Sequence, residues 1–66
     1  MLTDRETTVL LLRQQGLTQG AVARKLNITQ GAVSRFENNA YRKINDALTL
    51  IAYAKRRKIT FPDRYQ

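Results

Sequence analysis

The side chains able to do chemistry in this chain are mostly cations. Twelve Lys and Arg stand against five Asp and Glu in 66 residues, for a net charge of +7. The acids, Asp4, Glu6, Glu37, Asp46 and Asp63, are scattered and form no obvious pair or cluster. There is no histidine and no cysteine. The commonest general base and the commonest metal ligand are therefore both missing, and thiolate sites and disulfides are excluded. An enzyme is not expected, nor a metal, a cofactor or a small-molecule ligand. What remains is recognition of a polyanion: DNA, RNA or an anionic membrane surface.

A chain this short makes one small domain and buries only about 60% of its unfolded surface. The longest apolar run, Val9-Leu10-Leu11-Leu12, is far below the ~18 residues that cross a bilayer. No stretch resembles a signal peptide. The expectation is a cytoplasmic, nucleoid-associated protein with no membrane partner.

The elements that must position the cations can be read from their start and stop signals. Thr3-Asp4-Arg5-Glu6 has the form of a capping box, and its two acids suit the first turn of a helix. Gly16 ends that helix as a left-handed cap. Val9, Leu12 and either Leu10 or Leu11 should face inward. Thr18 is a second N-cap, with Gln19 to Leu26 following it. Asn27-Ile28-Thr29 breaks the pattern: Asn tolerates the left-handed conformation and Thr29 is a third N-cap. Beyond it a helical period runs through Val33, Phe36, Ala40, Tyr41, Ile44, Ala47, Leu48, Ile51 and Ala52 to about Lys55. Asn38-Asn39 is a plausible break within it. Either one long helix starts at Gln30 or two helices meet near Asn39. Lys55 to Lys58 is a basic run, and the residues after it have extended propensity up to Pro62.

Thr18-Gln19-Gly20-Ala21-Val22 recurs as Thr29-Gln30-Gly31-Ala32-Val33, eleven positions later. Eleven residues are three helical turns to within ~20°, so one continuous helix would keep both copies on one face. That reading fails at Asn27-Ile28-Thr29, three weak helix formers in a row. Two copies are too few and too short for a solenoid. The surviving reading is one start signal used twice, on two helices joined by a tight turn.

That arrangement resembles a helix-turn-helix. Framed from Gln19, the chain has apolar Val22, small Ala23, apolar Leu26, turn residue Asn27, then apolar Ile28, Val33 and Phe36. Ala23 must be small where the helices cross, and the apolar set closes a miniature core. Particular branches of the family are also recognisable. LT-R---VLLLR--GLTQ--VA-KL--T---VS--E, with A---I--A from Ala40 to Ala47, resembles archaeal Tfx-type DNA-binding proteins. VSRFENNAYRKI resembles the recognition segment of sigma-factor region 4. TQGAVSRFENN with ALTLIAYA resembles Cro/C1-type repressors. The fold this implies is all-α: a small helix-turn-helix bundle of four, or five, helices with a short extended C-terminal tail. The domain would cover residues 1–58, with the motif at about 18–38, and a tail or arm would cover 59–66.

If Val33 and Phe36 face the core, then Gln30, Gly31, Ser34, Arg35 and Asn38 face outward, toward the major groove. Arg35 can make a bidentate contact to guanine and Gln30 to adenine. Ser34 is short enough for close approach. Gly31 leaves room for a thymine methyl or for the backbone itself. Phosphate contacts are expected from helix N-termini and flanking cations. The candidates are Thr29, Arg24, Lys25, Arg42 and Lys43, with Gln19 added by resemblance to the repressors. The same resemblance makes Glu37 structural, paired with Arg13 or with Arg24. The Lys55–Lys58 run could clamp the DNA backbone, close a helix end or meet a membrane surface.

One helix-turn-helix reads only about four to six base pairs, so a homodimer on a palindromic operator in double-stranded DNA is expected. Leu48, Ile51, Ala52 and Tyr53, or Phe61 and Tyr65 in the tail, are the interface candidates, unless they complete the monomer core. The function implied is a sequence-specific DNA-binding transcriptional regulator. A repressor is favoured, because no room is left for an activation or ligand domain. The alternative is a sigma-like protein–protein module or a nonspecific nucleic-acid-binding module.

Overall fold

Three threonines and three left-handed residues delimit the helices. The computed structural model describes residues 1–59. Helix α1 spans Asp4–Gln14, α2 spans Gln19–Leu26 and α3 spans Gln30–Arg56. Each begins on a threonine. The hydroxyls of Thr3, Thr18 and Thr29 accept from the backbone N–H groups of Glu6, Ala21 and Ala32. At α1 the box is closed, because the Glu6 carboxylate accepts from the Thr3 N–H at 2.9 Å. These bonds satisfy donors that the helices themselves leave without a partner.

The helix ends repeat one another as well. Gly16, Asn27 and Lys58 all have positive φ, at 98°, 56° and 58°. After each, an apolar residue turns its N–H back: Leu17 to the Leu12 carbonyl, Ile28 to Ala23 and Ile59 to Ala54. This closing turn satisfies the last carbonyls of a helix. Gly16 and Asn27 have residue types that suit the conformation; Lys58 does not advertise it.

The expected four or five helices are corrected to three among the described residues. Asn38 and Asn39 do not break the chain. Both are exposed and lie inside the 27-residue α3. An asparagine costs a helix interior only about 0.7 kcal/mol. Around the pair, Val33, Glu37 and Ala40 are buried, at 0%, 5% and 0% exposure. They are spaced to share one helix face, and a break at Asn39 would turn Ala40 away from it. Burial of that continuous stripe outweighs the local preference. The tail candidates Phe61 and Tyr65 lie outside the described residues, as does all of the expected arm except Ile59.

The core is small and sits where the three helices meet. Val9 and Leu12 from α1, Val22 and Ala23 from α2, and Val33 from α3 are buried. Leu17, Leu26, Ile28 and Phe36 pack against them, half-buried. Leu10 is half-buried and Leu11 is 54% exposed, so Leu10 is the third inward residue of the apolar run. Beyond Ile44, α3 leaves the body: from Asn45 to Arg56 only Ala54 is buried.

A buried carboxylate ties the start of the chain to α3. Glu6 is 4% exposed, and the Lys43 ammonium donates to its two oxygens at 2.8 and 3.2 Å. Lys43 also donates to the Met1 carbonyl at 3.3 Å. The Lys43 hydrogen bond, followed by the Thr3 N–H, holds the Glu6 carboxyl below its ordinary 4.5, although burial opposes the shift. A depressed folded-state pKa contributes stability that is complete above the unfolded value. That contribution disappears as pH falls through the folded value. Thermal melts across the acid range should therefore show Tm falling below pH 4.5, and Glu6→Gln should flatten that part of the curve. An unchanged slope in the variant would show that Glu6 is not the responsible group.

Candidate nucleic-acid interface

The turn Asn27-Ile28-Thr29 sets α3 against α2. Asn27 reverses the chain in the left-handed region, Ile28 packs on the core, and Thr29 caps α3. With Val33 fully buried, the opposite face of the first turns of α3 is held outward. Gln30, Gly31, Arg35 and Asn38 are exposed on it, and Ser34 is half-buried. All five residues read from the sequence as groove-facing thus lie on the first half of α3; Gly31, Ser34, Arg35 and Asn38 turn away from its buried face, and Gln30 sits at its edge, beside Gly20 of α2.

One carboxylate locks this helix to the other two. Glu37 is 5% exposed, and its Oε1 accepts from Arg13 Nε of α1 and from Gln19 Nε2 of α2, both at 2.9 Å. Arg13 Nη1 also donates to the Leu17 carbonyl at 2.9 Å. Of the two arginines suggested for Glu37, Arg13 is the partner. Glu37 is therefore occupied with the protein's own helices.

The phosphate candidates divide by what already holds them. Arg24, Lys25 and Arg42 are exposed. Thr29 is exposed, and its hydroxyl is committed as the α3 cap. The Gln19 amide is committed to Glu37, and the Lys43 ammonium to Glu6. Those two side chains reach a phosphate only by giving up these partners. No local signal predicts either commitment, because the partners lie 18 and 37 positions away.

Another convergence also escapes sequence reading. Arg24 Nη1 and Gln30 Oε1 lie 3.6 and 3.9 Å from where a Cβ on Gly20 would stand. The bare face of Gly20 brings an α2 cation beside the first residue of α3. Of the dimer candidates, Leu48, Ile51, Ala52 and Tyr53 are exposed on the projecting half of α3. The Lys55–Lys58 run forms the exposed end of α3 and its closing turn, with the Arg57 guanidinium 4.9 Å from the Tyr53 ring centre.

The family model of Sigma-70, region 4, matches residues 1–46. The chain belongs to that family. The match covers all of α1 and α2 and the packed half of α3, and it stops where α3 begins to project. Of the branches that the sequence resembles, sigma region 4 is thus the one supported. The region 4 domain is a helix-turn-helix DNA-binding region. No curated protein and no solved structure matches the chain. Among the described residues, no helix is long and apolar enough to cross a membrane.

Gly31 allows the groove-facing surface to be separated from the fold. Around its missing Cβ, the nearest atom is Thr29 Oγ1, at 4.0 Å. Gly31→Ala meets no obstacle inside the domain and adds up to about 1 kcal/mol of helix preference. The expected result is a Tm a few degrees higher together with weaker binding to the selected DNA site. A rise in Tm with unchanged DNA affinity would remove Gly31 from the groove.

Proposed function

We propose that this region 4 domain is a sequence-specific transcriptional regulator, acting as a repressor. It inserts the first half of α3, from Gln30, into the major groove. The observation that carries the reading is the exposed row Gln30, Gly31, Arg35 and Asn38, with Ser34, backed by buried Val33 and Glu37. In this reading Arg35 and Gln30 read base edges, and Ser34, Gly31 and Asn38 allow or add close contacts. Arg24, Lys25 and Arg42 hold the backbone, assisted by the α3 N-terminus at Thr29; Gln19 and Lys43 join them only by releasing Glu37 and Glu6. The net charge of +7 suits the same partner. The domain works as a binder rather than an enzyme, in the cytoplasm, as a homodimer on a palindromic operator.

Selection of bound sites from random double-stranded DNA tests this reading. A two-fold symmetric consensus that survives competitor DNA is expected. Enrichment of no sequence, with binding that vanishes under competitor, would mean nonspecific association. Absence of binding at low salt would leave a protein-binding module.

A further inference from the structure

The projecting half of α3 carries a seam that the other described residues leave largely exposed. Val33, Glu37, Ala40, Ile44, Ala47, Ile51 and Ala54 follow one another at alternating steps of four and three. This is the spacing of a two-helix seam. Its first part is buried against α1 and α2. Its later part has few partners among the described residues: Ile51 is 41% exposed, and Leu48 and Leu50 beside it are 60% and 66% exposed. Ala54, at the far end, is already buried.

The geometry points to a second copy of this chain, packed antiparallel on Ala47, Leu48, Leu50 and Ile51, with the two-fold axis at Thr49. The inference extends the homodimer in the function proposed above. The alternation of large and small residues decides the direction. In a parallel pair like positions meet, and the Ala47–Ala47 layer is left hollow. In an antiparallel pair each Ile51 faces an Ala47, so a large side chain meets a small one at both layers. Leu48 then lies beside Leu48 of the other copy, and Leu50 beside Leu50, closing the two flanks.

Charge favours the same direction. A parallel pair brings two Lys55–Lys58 clusters side by side, about 10 Å apart. An antiparallel pair moves them about 20 Å apart along the axis, beyond the ~8 Å screening length of physiological salt. The cluster then approaches Arg42 and Lys43 of the other copy. Lys43 is already paired with Glu6, and Arg42 points away from the seam. Each partly exposed large side chain at the seam has on the order of 100 Å² to bury. With Tyr41 alongside, the total is roughly 400 Å² per copy, against roughly 800 Å² for a standard interface. The free dimer is therefore weak, and DNA, by neutralising both copies, should strengthen it. The arrangement suits one duplex. Gly31, Ser34 and Asn38 share the flank of α3 that carries Leu48, so both reading faces turn to one side of the pair.

The chain has no cysteine, which makes crosslinking clean. Ala47→Cys and Ile51→Cys proteins, mixed under mild oxidation, should form the mixed 47–51 disulfide as the main product. Its yield should be about tenfold above self-crosslinking of Thr49→Cys, which lies on the outer face. Sedimentation should show concentration-dependent association that Leu48→Glu abolishes while the circular dichroism of the helices is kept. Dominant 47–47 and 51–51 products would overturn the antiparallel direction and leave a dimer. No crosslink above the Thr49 control, with a monomer at every concentration, would overturn the seam and the homodimer together. DNA recognition is judged separately by the site selection.

Discussion

Glu37→Ala should cost the domain about 2–3 kcal/mol, the largest loss expected from a single polar residue. The substitution removes one acceptor from two donors on two other helices, Arg13 of α1 and Gln19 of α2. Charge-assisted hydrogen bonds contribute about 1.5–3 kcal/mol each, and breaking a buried pair costs about 3–5 kcal/mol. The Arg13 side chain is 36% exposed, so water recovers part of its solvation and the lower end applies. For a chain of this length, total stability is roughly 3–10 kcal/mol, so much of it would be lost. Chemical denaturation should show the change in the midpoint with little change in slope, and Tm should fall by about 10–20 °C. Glu37→Gln keeps the shape and an acceptor and should lie between the two. A loss below about 1 kcal/mol would be that of an ordinary surface pair. The three-helix lock would then have to be discarded.

Arg35→Ala should have the opposite profile: near-native stability and loss of sequence discrimination. Arg35 is exposed and belongs to neither ion pair among the described residues, so the described fold does not depend on it. A bidentate arginine–guanine contact discriminates by about 1–3 kcal/mol, roughly 5- to 150-fold in affinity at one base pair. Site selection with the variant should return the same consensus with one position per half-site relaxed. Arg42→Ala should instead weaken binding to all sequences alike and lower the salt slope by about one. The contrast separates reading from holding. If Arg35→Ala kept every position of the consensus, the groove face of α3 would be misplaced.

The parts of the fold that were legible in the sequence share a local cause. Thr3, Thr18 and Thr29 mark helix starts because a cap bond spans only three residues. Gly16 and Asn27 mark helix ends because few residue types accept a positive φ. The repeated Thr-Gln-Gly-Ala-Val is this signal used twice, and the structure bears out the two separate helices. Lys58 takes the same conformation without a telling residue type, so the last helix end could not be read this way.

The parts that were not legible depend on contacts between distant residues. The proposed break at Asn38-Asn39 rested on local propensity, which is weak, and the buried stripe through Val33, Glu37 and Ala40 overrode it. Gln19, by resemblance to the repressors, and Lys43, as a flanking cation, are expected at phosphates, and each already holds a carboxylate. Their carboxylate partners lie on other helices and could not be seen until the chain was folded. By itself, then, the sequence determined the charge that calls for a polyanion, the helix starts and the turn between α2 and α3. Each needs only composition or a few neighbouring residues. Only the tertiary structure decided that α3 is one long rod, which cations pair with carboxylates among the described residues and which apolar residues of α3 stay exposed. Those properties depend on what each side chain meets across the core.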